Sequence, residues 1–159
     1  MTNKNITFTR NLVKGKIAET IFAQMFREAG KYTVLEFGYE KIIPELVQGG
    51  YDPNAGIVET LRTAPDFAVI DNDERKVKLI EVKYRHAINN LEILKVAERM
   101  HAAWNPSWLF VCSLEGFYFD KVDKILMNNG HMERLSNEVI PATVQLQYLV
   151  ILREFEDSK

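Results

Sequence analysis

The sequence predicts a single α/β domain over residues 1–159, in which helix, strand, strand, strand, helix and strand follow one another ahead of a helical extension. Three observations predict it. Apolar residues recur at three- and four-residue spacing over residues 9–29, the pattern of an amphipathic helix. Two short apolar runs, residues 64–70 and 77–84, are joined by the acidic turn Asp71-Asn72-Asp73-Glu74 and read as a β-hairpin. A marked helix start at Asn89 leads, past Asn105-Pro106, to the continuous apolar run of residues 107–113, a strand of the fully buried type.

Each element has its own justification. In the first helix Val13, Ile17, Ala18, Ile21, Phe22, Met25 and Phe26 form the apolar stripe, and Gly30 sits where a C-terminal cap is expected. Gly15 lowers helix stability, so it marks either a close backbone approach or simple tolerance. Residues 32–37 (YTVLEF) read as the first strand. Asn89 can cap the second helix, with Glu92 three residues on and Ile88 and Ile93 placed as a hydrophobic staple. That helix runs through Leu91, Leu94, Val96, Ala97 and Met100. Beyond residue 113, residues 117–119 add a short edge, and Asp120 and Asp123 suit the start of a brief helix over residues 121–127, closed by Asn129-Gly130. Residues 141–156 fit two patterns. Val144, Leu146, Tyr148, Val150 and Leu152 alternate as a strand, whereas Val144, Tyr148, Ile151, Leu152 and Phe155 make a helical stripe. Pro141 suits a first helical turn, so helix is the preferred reading.

A chain of 159 residues is long enough to bury a real core, and 47% hydrophobic with 26% charged residues is the composition of a soluble globular protein. No apolar stretch could cross a bilayer, and MTNKNITFTR lacks the apolar run of a secretory signal. The single Cys112 points to a reducing compartment, and a cytoplasmic location with no membrane association is expected. A net charge of −2 argues against a generic polyanion binder. The charge is uneven, however: residues 1–16 hold Lys4, Arg10, Lys14 and Lys16 with no acid, while Glu154, Glu156 and Asp157 crowd the end. Phosphate-cradling glycine motifs and a G-x-S-x-G elbow are absent, and Cys112 lies in an apolar run as an inert thiol would. His101 and His131 show no ligand spacing with Cys112, so zinc is not expected.

The chemistry concentrates in the hairpin. Asp66 opens its first run, and Glu81 and Lys83 interrupt its second. Alternation puts Glu81 and Lys83 on one face and Val82 on the other, and pairing of the strands brings Asp66 beside Glu81. Two carboxylates and an ammonium gathered at one sheet edge are costly in a purely structural core.

Pro65-Asp66, followed fifteen residues after the Asp by Glu81-Val82-Lys83, resembles the signature of the PD-(D/E)XK nuclease superfamily. The likeness spans roughly residues 9–113, because the predicted element order matches as well. It implies a restriction-endonuclease-like αβββαβ core, with a mixed central sheet flanked by helices and a C-terminal helical extension. It also implies a Mg²⁺-dependent endonuclease acting on DNA, with Mn²⁺ able to substitute. By that resemblance Asp66 and Glu81 are metal ligands and the Val82 carbonyl is a further one. Glu19, otherwise a solvated helical glutamate, would complete the ligand set directly or through water. Lys83 would hold the attacking water and stabilise charge developing on the phosphate. Arg85, Arg62, Lys14 and Lys16 are candidate substrate contacts, although Arg85 is equally an exposed strand-end charge. Residues 38–63 end at Arg62 and read either as a substrate-facing flap or as a surface loop. Glu92, Lys95 and Arg99 read as a solvated helix face, with Lys95 able to touch DNA. His86 reads as a surface residue and Tyr84 as core. Such enzymes often work as homodimers, since two scissile strands need two sites. The competing hypothesis is a catalytically silent module of the same fold that binds nucleic acid or protein.

Overall fold

The structure, a computed structural model, describes residues 3–38 and 63–157. The elements are α1 (Asn3–Glu28), β1 (Tyr32–Glu36), β2 (Phe67–Asp71), β3 (Lys76–Tyr84), α2 (Asn90–Ala103), β4 (Trp108–Ser113), β5 (Gly116–Lys121), α3 (Val122–Met127) and α4 (Ala142–Asp157). The strands form one mixed sheet in the order β1-β2-β3-β4-β5. β3 and β4 run parallel, and the other neighbours are antiparallel. The αβββαβ order, the mixed sheet and the C-terminal helix expected from the sequence are all present. The ambiguous residues 141–156 fold as a helix.

Alternation along the strands sorts the core into two layers. Ile80 and Val82 of β3 and Phe110 and Cys112 of β4 point to α1 and α4. Leu109 and Val111 point to the other face, where Ile93, Val96, Ala97 and Met100 of α2 and Val122 and Ile125 of α3 cover them. The α1 layer is aromatic at its centre: Phe22 lies 4.5 Å from Phe26, 5.0 Å from Phe67 and 4.9 Å from Phe110, ring centroid to ring centroid. Offset and edge contacts of this kind add to simple area burial.

Several boundaries differ from the sequence reading for local reasons. α1 begins at Asn3, ahead of residue 9, and Ile6, Phe8, Leu12 and Val13 along its first turns are exposed. Those turns bury no stripe, so periodicity carries no sign of them, and Val13 does not belong to the buried face. β5 is a full strand, because Ser113 tightens its turn: the Glu115 N–H donates to Ser113 Oγ at 3.2 Å, and that hydroxyl donates to the Gly116 carbonyl at 2.9 Å. Asp120 does not cap α3. Its carboxylate accepts instead from the Lys121 and Glu133 N–H groups, at 2.9 and 3.2 Å. The start of α2 is as expected, with Asn89 Oδ1 accepting from the Leu91 and Glu92 N–H groups at 3.0 and 3.1 Å.

Two glycines make opposite predictions. Gly130 follows α3 with φ +92°, and a Cβ there would run into the Asn90 carbonyl at the first turn of α2. Gly15 sits within α1, and a Cβ there meets nothing within 4 Å among the described residues, which leaves tolerance as its explanation. Gly130→Ala should therefore destabilise the protein by roughly 2 kcal/mol or more. Gly15→Ala should stabilise it by about 0.5–1 kcal/mol. Urea unfolding of both variants checks the signs.

Candidate active site

β3 is longer than β2, and this difference in length builds the site. Residues Lys76 to Ile80 of β3 pair with β2, while Ile80 to Tyr84 pair with β4. Beyond Ile80 the β2 side of β3 has lost its partner strand, and the Val82 N–H on that side needs an acceptor. Asp66, the residue before β2, supplies it: Val82 N–H donates to Asp66 Oδ2 at 2.8 Å. The Asp66 carbonyl meanwhile accepts from the Phe37 and Gly38 N–H groups, at 2.9 and 3.3 Å. One residue thus closes the ends of three strands.

Phe67 opposes Ile80, so Asp66 stands at the level of Glu81, and the two carboxyl groups hydrogen-bond to each other. Lys83 Nζ lies 3.6 Å from Glu81 Oε2, both side chains being mostly buried. The expected convergence of Asp66, Glu81 and Lys83 is present, on the sheet face covered by α2. Desolvation pushes the Asp66 carboxyl up to about 8. Its hydrogen bond to Glu81 and the charge of Glu81 act in the same direction, against the Val82 N–H and Lys83. Among the described residues no three of His, Cys, Asp and Glu gather as a ligand group, so Asp66 and Glu81 are a pair.

Glu81 and Lys83 line a depression of about 270 Å³ together with Thr63, Arg99 and Met100. The sequence reading did not mark these last three as lining the depression; Arg99 is exposed, as a solvated helix face requires, and still reaches it. A signal existed, since Glu92 and Arg99 are seven residues apart and share one face of α2 over two turns. Glu92 is not simply solvated. Arg85 forks onto it, with Nε at 2.8 Å from Glu92 Oε1 and Nη2 on the same oxygen, and Arg85 Nη1 donates to the Tyr84 carbonyl at 2.7 Å. The Arg85 hydrogen bonds hold the Glu92 carboxyl below the usual glutamate range against its partial burial, and the charges of Lys83 and Arg99 add to the effect. Arg85 is thus an ion-paired brace between the end of β3 and α2.

The remaining candidates lie elsewhere. Glu19 is on α1, stands 3.7 Å from Lys16, and lines a different depression with Lys16, Arg27, Glu36 and Phe67. Lys14 is spent on structure: its Nζ donates to Glu156 Oε1 at 3.1 Å and sits 5.4 Å from the Tyr84 ring centroid, while Tyr84 Oη donates to Glu156 Oε2 at 2.8 Å. Arg62, with residues 39–61 of the expected flap, falls outside the described residues.

No protein-family model matches the chain, and no curated protein matches it in sequence. Among solved structures it is similar to Hjc, a Holliday junction resolvase from the archaeal hyperthermophile Archaeoglobus fulgidus. The two are 12% identical with a TM-score of 0.38, over 84% of this chain and 98% of that one. No helix among the described residues is long and apolar enough to cross a membrane.

The raised Asp66 carboxyl predicts a pH-dependent stability. A carboxyl that keeps its proton to about 8 when folded, but loses it near an ordinary value of about 4 when unfolded, leaves the folded state holding more protons across that interval. Stability of the protein in EDTA should therefore fall as pH rises from about 4 to about 8. Asp66→Asn keeps an acceptor for Val82 and a donor for Glu81, so it should flatten that slope and raise the melting temperature at pH 8. Thermal melts across the range check this, and an unchanged slope would place the titration elsewhere.

Proposed function

We propose that the chain is a divalent-metal-dependent nuclease of the PD-(D/E)XK type that hydrolyses phosphodiester bonds in DNA. The observation that carries the reading is the meeting of Asp66, Glu81 and Lys83 where β2 ends and β3 continues. Two half-buried carboxyl groups in mutual contact, with one ammonium beside them, cannot both ionise without added positive charge. Such a donor set fits a hard cation like Mg²⁺, or Mn²⁺ in its place, which takes one or two carboxylates and keeps several waters. Asp66 and Glu81 would hold the ion, with the Val82 carbonyl as a further candidate; Glu19, on α1 and in a different depression, is left out of the set. The ion would supply charge neutralisation at the phosphate and a more acidic water.

The chain's own groups do the rest. Lys83, 3.6 Å from Glu81, is held on the wall of the depression, where its ammonium can donate to the attacking water and to a phosphate oxygen that gains charge. Arg99 reaches the same depression from α2 and offers a planar donor fork to a neighbouring phosphate. Arg85 and Glu92 keep α2 seated against β3, and so keep Arg99 in reach of Lys83. The stretch of hydrogen bonds around Asp66 keeps its oxygen atoms aimed at Glu81, so little reorganisation is needed.

The test is cleavage of labelled DNA of several shapes in Mg²⁺, Mn²⁺, Ca²⁺ and EDTA. Turnover is expected in Mg²⁺ and Mn²⁺ and should be lost in EDTA. Asp66→Asn and Lys83→Ala should each lower kcat by roughly 10²-fold or more. Arg99→Ala should act mainly on KM and reduce the salt slope of DNA binding by about 1. Binding with no cleavage in either metal would identify a silent module, and robust cleavage in EDTA would remove the metal mechanism.

A further inference from the structure

A second cationic feature lies away from the site, on the α1 side of the sheet. Trp108 opens β4 half-buried, directly across from Lys121 of β5. The ammonium groups of Lys78 and Lys121 each sit 5.5 Å from its ring centroid. Trp108 and Lys121 also line an open depression of about 300 Å³ with Phe119, Asp120 and Lys124. Asp120, the acid in that lining, turns its carboxylate to the Lys121 and Glu133 N–H groups. Two countercharges are near: Asp123, 3.9 Å from Lys121 and also 3.4 Å from His101, and Asp71, which feels the charge of Lys78. Two ammonium groups on one indole repel each other, and a third lysine at the same depression adds to the excess. An anion between them relieves the repulsion, and the indole beneath adds a preference for a ligand with a flat π-face.

We propose that Trp108 with Lys78, Lys121 and Lys124 is a binding patch for a single-stranded nucleic-acid segment, one base stacking on the indole and flanking phosphates meeting the lysines. The patch rests on the nucleic-acid reading above but not on the cleavage chemistry. Lys78 precedes Lys83 by five residues of β3, about 16 Å along the strand at roughly 3.3 Å per residue, and points to the opposite face. The patch is therefore an accessory contact, able to hold a strand that leaves the cleavage site rather than the phosphate being cut.

The chain has two tryptophans, so Trp104→Phe leaves Trp108 as the only indole and keeps an aromatic partner for Phe37. In EDTA at low salt, an oligo-dT should quench the fluorescence of this variant to saturation. Adding Lys121→Glu and Lys124→Glu should weaken binding by at least about tenfold, and the salt slope of binding should fall by about 1 for each lysine removed. Polyglutamate, an anion with no bases, should compete weakly and leave the emission unquenched. No saturable quench, an equal response to polyglutamate, or unchanged affinity in the lysine variants would overturn the patch. Cleavage measured in Mg²⁺ separates the two proposals: cleavage without the quench removes only the patch, and quench without cleavage removes only the nuclease.

Discussion

The bond from the Val82 N–H to Asp66 Oδ2 stands where a backbone carbonyl of β2 would otherwise be. β3 must change partners at Ile80, from β2 behind it to β4 ahead, because its two halves pair with different strands. A strand that changes partners leaves backbone groups unmatched at the point of change, and a buried unmatched N–H is costly. Filling that position with a side-chain carboxyl keeps the sheet intact and sets an acid against Glu81. The structural requirement of the sheet and the gathering of acid at its edge are thus one and the same feature.

Around that point the charges are ordered in depth. Asp66 and Glu81 stand innermost and share a hydrogen bond, Lys83 stands next along β3, Arg99 and Met100 form the wall contributed by α2, and the Arg85–Glu92 pair braces that helix to the end of β3. The inner pair disfavours full ionisation of its own members, as the raised Asp66 carboxyl indicates. The outer cations are too few and too exposed to reverse that. Such an arrangement costs stability and gains a preference for added positive charge, which is the usual direction of compromise at a functional site.

Much of this was readable in the sequence, and for an identifiable reason. A hairpin fixes the level of its two strands, so a carboxylate just before one and an acid and lysine within the other are brought together by local chain geometry alone. The cap at Asn89 and the stop of α1 just ahead of Gly30 are equally local. What could not be read depends on how separate layers dock. Arg99 and Met100 enter the depression only because α2 crosses over the end of β3. Lys14 looked like a free cation in an acid-free segment, but its partner Glu156 arrives from the far end of the chain on α4. Glu19 shows the same limit in reverse: its helix and its i,i+3 contact with Lys16 are local, while its placement beside Glu36 follows from the way α1 lies on the sheet.

The chain's net charge of −2 is a sum over pairs that cancel. Lys14 is matched by Glu156 from the acidic end of the chain, and Arg85 by Glu92 of α2. Cations also gather at two places, Lys83 with Arg99 at one depression and the lysines around Trp108 at another, where Glu81 and Asp123 offset them in part. Attraction for a polyanion at long range depends on the total, whereas capture at short range depends on where the unspent cations stand. A chain of this net charge has little long-range attraction for any polyanion, so under the proposed reading discrimination falls to the few short-range contacts at those positions.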